Sequence, residues 1–211
     1  MAAPKKSRKK GKISVIISGM SSVGKTTAAN EIANKFHLKH VAGGDMLKQM
    51  AIDRGYQPSG SDWWDTQEGM KFLSERKTDS EFDKEVDRRL AQYIRKGNVV
   101  ITSYPMPWLA QDDGLKLWFE ATPENRAARL AGRDSIKKTD AIQIIRKRDL
   151  QNKRIYKKLY GIRFGDDLSP FHYVIDTNKM SAPEVVAAAC KLVGEYVSAT
   201  REKVSHKVVS R

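Results

Sequence analysis

The chain has 211 residues, a single cysteine and a formal net charge of +14. That length is enough for one well-buried core, the lone Cys190 excludes an internal disulfide framework, and the apolar runs are too short to span a bilayer. Residues 1–12 hold six of the positive charges (Lys5, Lys6, Arg8, Lys9, Lys10, Lys12) and no acid, so +8 remains on the rest and the tail is a question separate from any site.

No apolar stretch with a small-residue cleavage site follows the basic terminus, so it does not read as a secretory signal. With the cysteine count, this gives the expectation of a cytoplasmic protein with no membrane partner. The tail is expected to be a solvated, disordered arm, with nucleic acid as the partner its charge would suit.

Residues 13–18 are an apolar run of Ile, Val and Ser that reads as a buried strand. It leads into Gly19, Met20, Ser21, Ser22, Val23, Gly24, Lys25, Thr26 and Thr27. Gly, four residues, Gly, Lys, Thr is the spacing of a phosphate loop: the glycines let backbone N–H groups converge on an anion, Lys25 adds a point charge, and the Thr26 hydroxyl can ligate magnesium. A helix over 28–36 follows, whose N-terminus adds its partial positive charge.

Residues 38–41 read as a second short strand ending at Gly43, Gly44 and Asp45. Residues 46–55 have helical spacing, with Gly55 as the stop. Residues 56–66 contain Pro58, Gly60, Trp63 and Trp64 and read as a loop or irregular helix, with the tryptophans anchoring a small mobile subdomain. Phe82, Val86, Leu90, Tyr93 and Ile94 predict a helix over 81–96, ended by Gly97 and Asn98. Strands follow at 99–101 and 115–119, helices at 124–131 and 139–160, a last strand at 173–175 and a final helix at 183–197, where Cys190 reads as a core thiol.

Strands alternating with helices imply an α/β fold, a parallel sheet of about five strands between helical layers. Ligands in such folds lie beyond the carboxyl ends of the strands, where the phosphate loop, Asp45, Thr102, Ser103 and Asp176 fall. Arg129 and Arg133 lie four apart on one helix and could stack on a purine and reach phosphates, respectively. Arg146, Arg148 and Arg154 populate the long basic helix. An arginine-rich segment that closes over the loop would neutralise a phosphoryl group in transfer and exclude water.

These residues resemble a nucleoside monophosphate kinase of the phosphate-loop class, most closely the archaeal-type cytidylate kinases. The resemblance covers roughly residues 13–195. Beyond the loop it rests on Gly44, Asp45 and Met46, on Asp87, Arg88 and Arg89 before Gly97 to Val100, on Tyr160 and Gly161, and on Asp167, Leu168 and Ser169 before Tyr173 to Thr177. It implies a kinase domain, taken as 13–198, with a monophosphate-binding insertion at about 45–97 and a lid at about 132–160; residues 199–211 are expected to form a basic tail.

It also implies transfer of the γ-phosphoryl group of ATP to CMP or dCMP, with magnesium, two moving parts closing to expel water; a monomer is expected. The residue roles implied are catalysis by Lys25, Arg133, Arg148 and Arg154, and an adenine contact for Arg129. The acceptor is expected at Asp45, Lys48, Tyr104 and Asp176. Two places depart from the family pattern. Lys48 stands where an arginine usually grips the monophosphate, and Thr102 to Met106 replace an acid, a glycine and a nearby arginine. Another acceptor, including an RNA end, or an ATP-dependent nucleic-acid-binding factor with weak hydrolysis, are the alternatives.

Overall fold

The computed structural model describes residues 12–58, 63–75, 81–110 and 114–209, and all their side chains except those of Asp65, Leu73 and residues 201–209. Five strands form one parallel sheet in the order β2-β3-β1-β4-β5. They are β1 (Ser14–Gly19), β2 (Lys39–Ala42), β3 (Val99–Thr102), β4 (Leu115–Glu120) and β5 (Tyr173–Asp176). The central strand β1 pairs with β3 on one side and β4 on the other, and all its residues are buried. Burial on both faces is why this run is apolar throughout rather than alternating.

The alternation still assigns the faces. Val15 and Ile17 pack with Ala28 and Ile32 of α1 (Lys25–Phe36) and with Ala189 and Val193 of α8 (Ala182–Val209). Cys190 belongs to this layer, and burial pushes its thiol pKa up, which suits an inert core thiol. Ile16 faces the other way, into a layer with Leu47 of α2 (Gly43–Asp53) and Val86 and Leu90 of α4 (Glu81–Lys96).

The insertion between β2 and β3 consists of α2, a 3₁₀ turn at Trp63–Asp65, α3 (Gln67–Glu75) and α4. Tyr56, Trp63, Trp64, Phe72 and Phe82 hold it together, with ring centroids 4.9 to 6.2 Å apart in edge-on and tilted arrangements. Trp63 is buried and its indole Nε1 donates to Glu68 at 2.8 Å, so it is the expected anchor; Trp64 is only half-buried.

After β3 come the single turn α5 (Met106–Leu109), β4, α6 (Pro123–Asp134) and α7 (Lys138–Tyr160). The Thr122 hydroxyl caps α6 by accepting from the Asn125 N–H at 3.3 Å. Ser135, at φ 53°, ends α6 and turns the chain into α7. The two helices pack through Ala127, Leu130, Ala141 and Ile145. A buried ion pair reinforces them: Arg126 donates to both carboxylate oxygens of Asp149, at 3.1 and 2.7 Å.

The helix predicted at 28–36 begins three residues earlier, at Lys25, because the phosphate loop feeds straight into it with Gly24 as its N-cap. The stretch expected to be irregular is followed by α3, and the final helix, predicted to end at 197, runs to Val209. The basic run at residues 1–11 lies outside the described residues, as do residues 210 and 211. Lys12 is held, its ammonium donating to the Arg95 carbonyl at 3.2 Å. No described helix is long and apolar enough to cross a membrane.

Candidate active site

The carboxyl ends of the strands open into one cleft of about 910 Å³, bounded by the phosphate loop, the insertion, the residues after β3, and α6 and α7. Gly19 ends β1 at φ 146°, and a Cβ there would lie 2.2 Å from the Phe119 carbonyl oxygen, so only glycine lets the loop leave the sheet beside β4. Ser22 and Gly24 have positive φ, at 61° and 91°. A left-handed residue within such a turn directs successive N–H groups towards one point, making a concave anion site at the start of α1. The hydroxyls of Ser21 and Ser22 are buried and make no hydrogen bond within the protein. Unpaired donors in a loop of this shape fit a phosphate chain. Thr26 lines the cleft, a position suited to one protein ligand for a magnesium ion that takes its other oxygens from phosphate and water.

Lys25 is folded back on its own loop. Its ammonium donates to the Gly19 carbonyl at 2.8 Å and to the Met20 carbonyl, and lies 5.1 Å from the centre of the Tyr104 ring. Its pKa is lowered to about 7, first because the ammonium is buried and then because Arg148 and Arg126 repel it, while Asp149 acts the other way. The rest of the side chain is half-exposed towards the cleft.

Arg129, Arg133 and Arg148 also line the cleft. The Arg129 guanidinium is held flat by two bonds to Thr177, from Nη1 to the hydroxyl at 2.8 Å and from Nη2 to the carbonyl. Thr177 is fixed in turn by donating from its hydroxyl to the Glu120 carbonyl at 2.9 Å. Arg133 is exposed and paired with its neighbour Asp134. Arg126 does not line the cleft; it is 3% exposed, and its ion pair with Asp149 braces α6 against α7.

The opposite side of the cleft is lined by Asp45, Lys48, Trp64, Asp83, Asp87, Thr102, Ser103 and Tyr104. Asp83 and Asp87 are buried on α4, and Asp87 accepts a 2.6 Å hydrogen bond from the Tyr160 hydroxyl at the end of α7. This bond ties the insertion to the end of α7. Thr102 lies within 3.1 Å of His40 Nε2, and His40 Nδ1 lies 2.7 Å from Asn30 Oδ1. Burial holds the His40 pKa below its usual value, with Asp45 acting against it. A neutral His40 that donates to Asn30 from Nδ1 accepts at Nε2, so Thr102 is the donor in that contact.

The structure therefore brings together Ser21 to Thr27, Asp45, Lys48, Tyr104, Arg129, Arg133 and Arg148 on one cleft. Gly19 and Met20 lie behind its lining, Gly19 as the pivot of the loop and Met20 packed into the core. Two expected residues are elsewhere. Arg154 is exposed on α7 away from the cleft, and Asp176 accepts from Asn178 N and Nδ2, at 2.9 and 2.7 Å, forming the turn after β5. Asp83, Asn152 and Tyr156 line the cleft without having been singled out from the sequence, and Trp64, read there as an anchor, lines it as well. Asp83 and Asp87 did leave a signal, since both are acids beside the apolar stripe Phe82, Val86 and Leu90.

Residues 14–179 match the model of the cytidylate kinase-like family. The chain is 34% identical over 198 residues to the cytidylate kinase of Pyrococcus horikoshii, covering 94% of this chain and 96% of that protein. It is 36% identical over 169 residues to the cytidylate kinase of Methanocaldococcus jannaschii, covering 78% and 88% of the two chains. Among solved structures, shikimate kinase from Acinetobacter baumannii superposes with a TM-score of 0.54 at 16% identity over 89% of this chain and 96% of that one. A gluconokinase from Sinorhizobium meliloti gives 0.52 at 13% over 90% and 97%. At such identities the likeness establishes the fold: a phosphate-loop kinase core.

Proposed function

Because this chain belongs to the cytidylate kinase-like family, we propose that its cleft transfers the γ-phosphoryl group of ATP to the phosphate of CMP or dCMP. The chain is an ATP-dependent nucleotide kinase, a transferase. The observation that carries the reaction is the single cleft, shared by an anion-binding loop and a second, acid-bearing wall.

In the proposed mechanism the loop N–H groups and Lys25 hold the triphosphate, and the Arg129 plane, fixed by Thr177, offers a platform for the adenine. Thr26 would hold magnesium, which would supply charge neutralisation at the phosphates. Arg133 and Arg148 face the transferring group and stabilise its equatorial oxygens. Lys48 holds the acceptor phosphate as a point charge, without the forked donors of an arginine. Asp83 and Asp87 cannot attract that phosphate, so we assign them to the amino and hydroxyl groups of the nucleoside. The acceptor is already ionised, so no general base is required.

Closure of α6 and α7 over the loop would exclude the water that otherwise competes for the phosphoryl group. The nucleic-acid-binding alternative is not favoured, since kinases match this chain over most of its length. We take the protein to be a cytoplasmic monomer, with a nucleic-acid contact confined to the basic tail if one exists. The test is ADP formation from ATP and magnesium with CMP, dCMP, UMP and AMP in turn. CMP and dCMP are expected to turn over fastest; a flat response across the four would overturn the assignment.

A further inference from the structure

Trp63 and Trp64 are neighbours in the chain, yet their surroundings differ. Trp63 is 1% exposed and its N–H is committed to Glu68, which accounts for the anchoring of the insertion. Trp64 is only partly buried and lines the cleft. Its backbone is held by α3, where Gly69 passes so close that a Cβ there would collide with the Trp63 carbonyl oxygen and lie 2.9 Å from the Trp64 Cα. That same carbonyl accepts from the Thr66 hydroxyl at 2.7 Å and from the Thr66 N–H at 3.1 Å. The Trp64 ring leans on Trp63, with centroids 4.9 Å apart and planes at 60°, and on Phe72 at 6.2 Å. Its Nε1 edge reaches α2, 3.9 Å from where a Cβ on Gly44 would stand, one turn before Lys48. An aromatic plane braced before its ligand arrives, and open to a cleft, suits a stacked base, because little ordering remains to oppose binding.

We infer that Trp64 is the platform on which the base of the acceptor nucleotide stacks, while Asp83 and Asp87 of α4 take its polar groups. This rests on the reading of the insertion wall as the acceptor site. The roles divide by chemistry. Stacking uses only the face of the base, so the ring contributes equally to CMP and dCMP. A carboxylate accepts only from amino and hydroxyl groups, so the acids register the sugar hydroxyl that the ring ignores. Lys48, one turn along α2 from the glycine that Trp64 overlies, takes the phosphate end of the same nucleotide. An aliphatic residue at position 64 would leave the base without a face to pack on but would leave these polar contacts in place.

Calorimetric titration of the full chain with CMP and with dCMP, in the absence of ATP, tests this for the wild type, Trp64→Phe and Trp64→Leu. Trp64→Leu should bind both nucleotides about tenfold more weakly, by the same factor for each. Trp64→Phe keeps a stacking face and should stay within about threefold of the wild type. Undiminished CMP affinity in Trp64→Leu would overturn the inference. Unequal losses for CMP and dCMP would overturn it too, because a Trp64 that merely props up the insertion would act by displacing Asp83 and Asp87. If Trp64→Leu is too unstable to titrate, Trp64→Phe decides by fluorescence: CMP should quench the tryptophan emission of the wild type, and most of that quench should vanish in the variant. A full quench in Trp64→Phe would overturn the inference. A wild-type chain that binds ATP but neither cytidine nucleotide would overturn the acceptor reading itself, an outcome separate from either variant's behaviour.

Discussion

On the donor side of the cleft Lys25, Arg129, Arg133 and Arg148 are basic residues set on the phosphate loop, α6 and α7, whereas the insertion lines the cleft with three acids, Asp45, Asp83 and Asp87, and one base, Lys48. The donor side is fixed by backbone: Gly19 passes against the Phe119 carbonyl, and the loop runs without a break into α1. The acceptor side is assembled by side chains. Its helices are positioned by the aromatic cluster around Trp63 and Phe72. A phosphate recognised by backbone N–H groups demands a local sequence pattern, while a nucleoside recognised by scattered side chains demands only that a fold bring them together. The difference separates what variants on the two sides should do.

The largest effect is expected from Lys25→Ala, which should lower kcat by about a thousandfold in a coupled ADP assay, the scale of losing a preorganised charge at a transferring group. Intact turnover with any monophosphate would remove the donor assignment altogether. Next is Arg126→Ala. It would leave Asp149 partly buried without its partner and should cost about 3 kcal/mol in urea unfolding, the usual scale for breaking a buried pair. A change below about 0.5 kcal/mol would mean that the apolar contacts of α6 and α7 suffice without it.

Lys48→Ala sharpens the contrast between the walls. It should raise the KM for CMP about tenfold while leaving ATP binding unchanged, as expected for one hydrogen bond to a charged group. A matching rise in the KM for ATP would show that the walls are not independent.

The same contrast decided what could be read from the chain. The loop from Gly19 to Thr27, the amphipathic α4 and the parallel order of elements were all legible, because each is written in a short run with its own period or spacing. The helix predicted at 81–96 matches α4 to the residue. α3 was not legible: its buried Phe72 is held by rings from Tyr56, Trp63 and Phe82, contacts that exist only in the fold. Trp64 in the cleft and the Tyr160 bond to Asp87, 73 residues away in sequence, escaped for the same reason. α5 is a single turn after Pro105, too short to show any period.

A pH experiment probes the donor side alone. The folded-state Lys25 pKa of about 7 lies below its ordinary value of 10.5, so at pH 8 the free chain holds this group mostly neutral. Phosphate oxygens restore the charged form, so ATP binding at pH 8 should take up about one proton, and affinity should be full below pH 7 and fall above it. The same shift makes the unfolded chain bind more protons between pH 7 and 10.5, so this group's contribution to the ligand-free fold improves as pH rises through that window. Calorimetry of ATP binding in two buffers of different ionisation enthalpy measures the uptake. No uptake would mean that Lys25 is charged before the ligand arrives.

The smallest effect is expected from Arg154→Ala, and it bears on the moving part of the donor side. The residue is exposed on α7 outside the cleft, six positions beyond Arg148, which does line it. Six residues advance an α-helix by about 600°, so Arg154 points roughly 120° away from Arg148 around the axis. A lid that closes as a rigid pair, with α6 and α7 locked by Arg126 and Asp149, keeps that angle and carries Arg148 inward without Arg154. Removing Arg154 should then change kcat by less than about twofold, the range of a surface substitution. A tenfold loss would require α7 to rotate about its own axis on closing, which the ion pair and the Ala127, Leu130, Ala141 and Ile145 packing would have to release. In that case Arg126→Ala should raise the opening rate of the lid as well as lower its stability, and the two variants together would be less than additive.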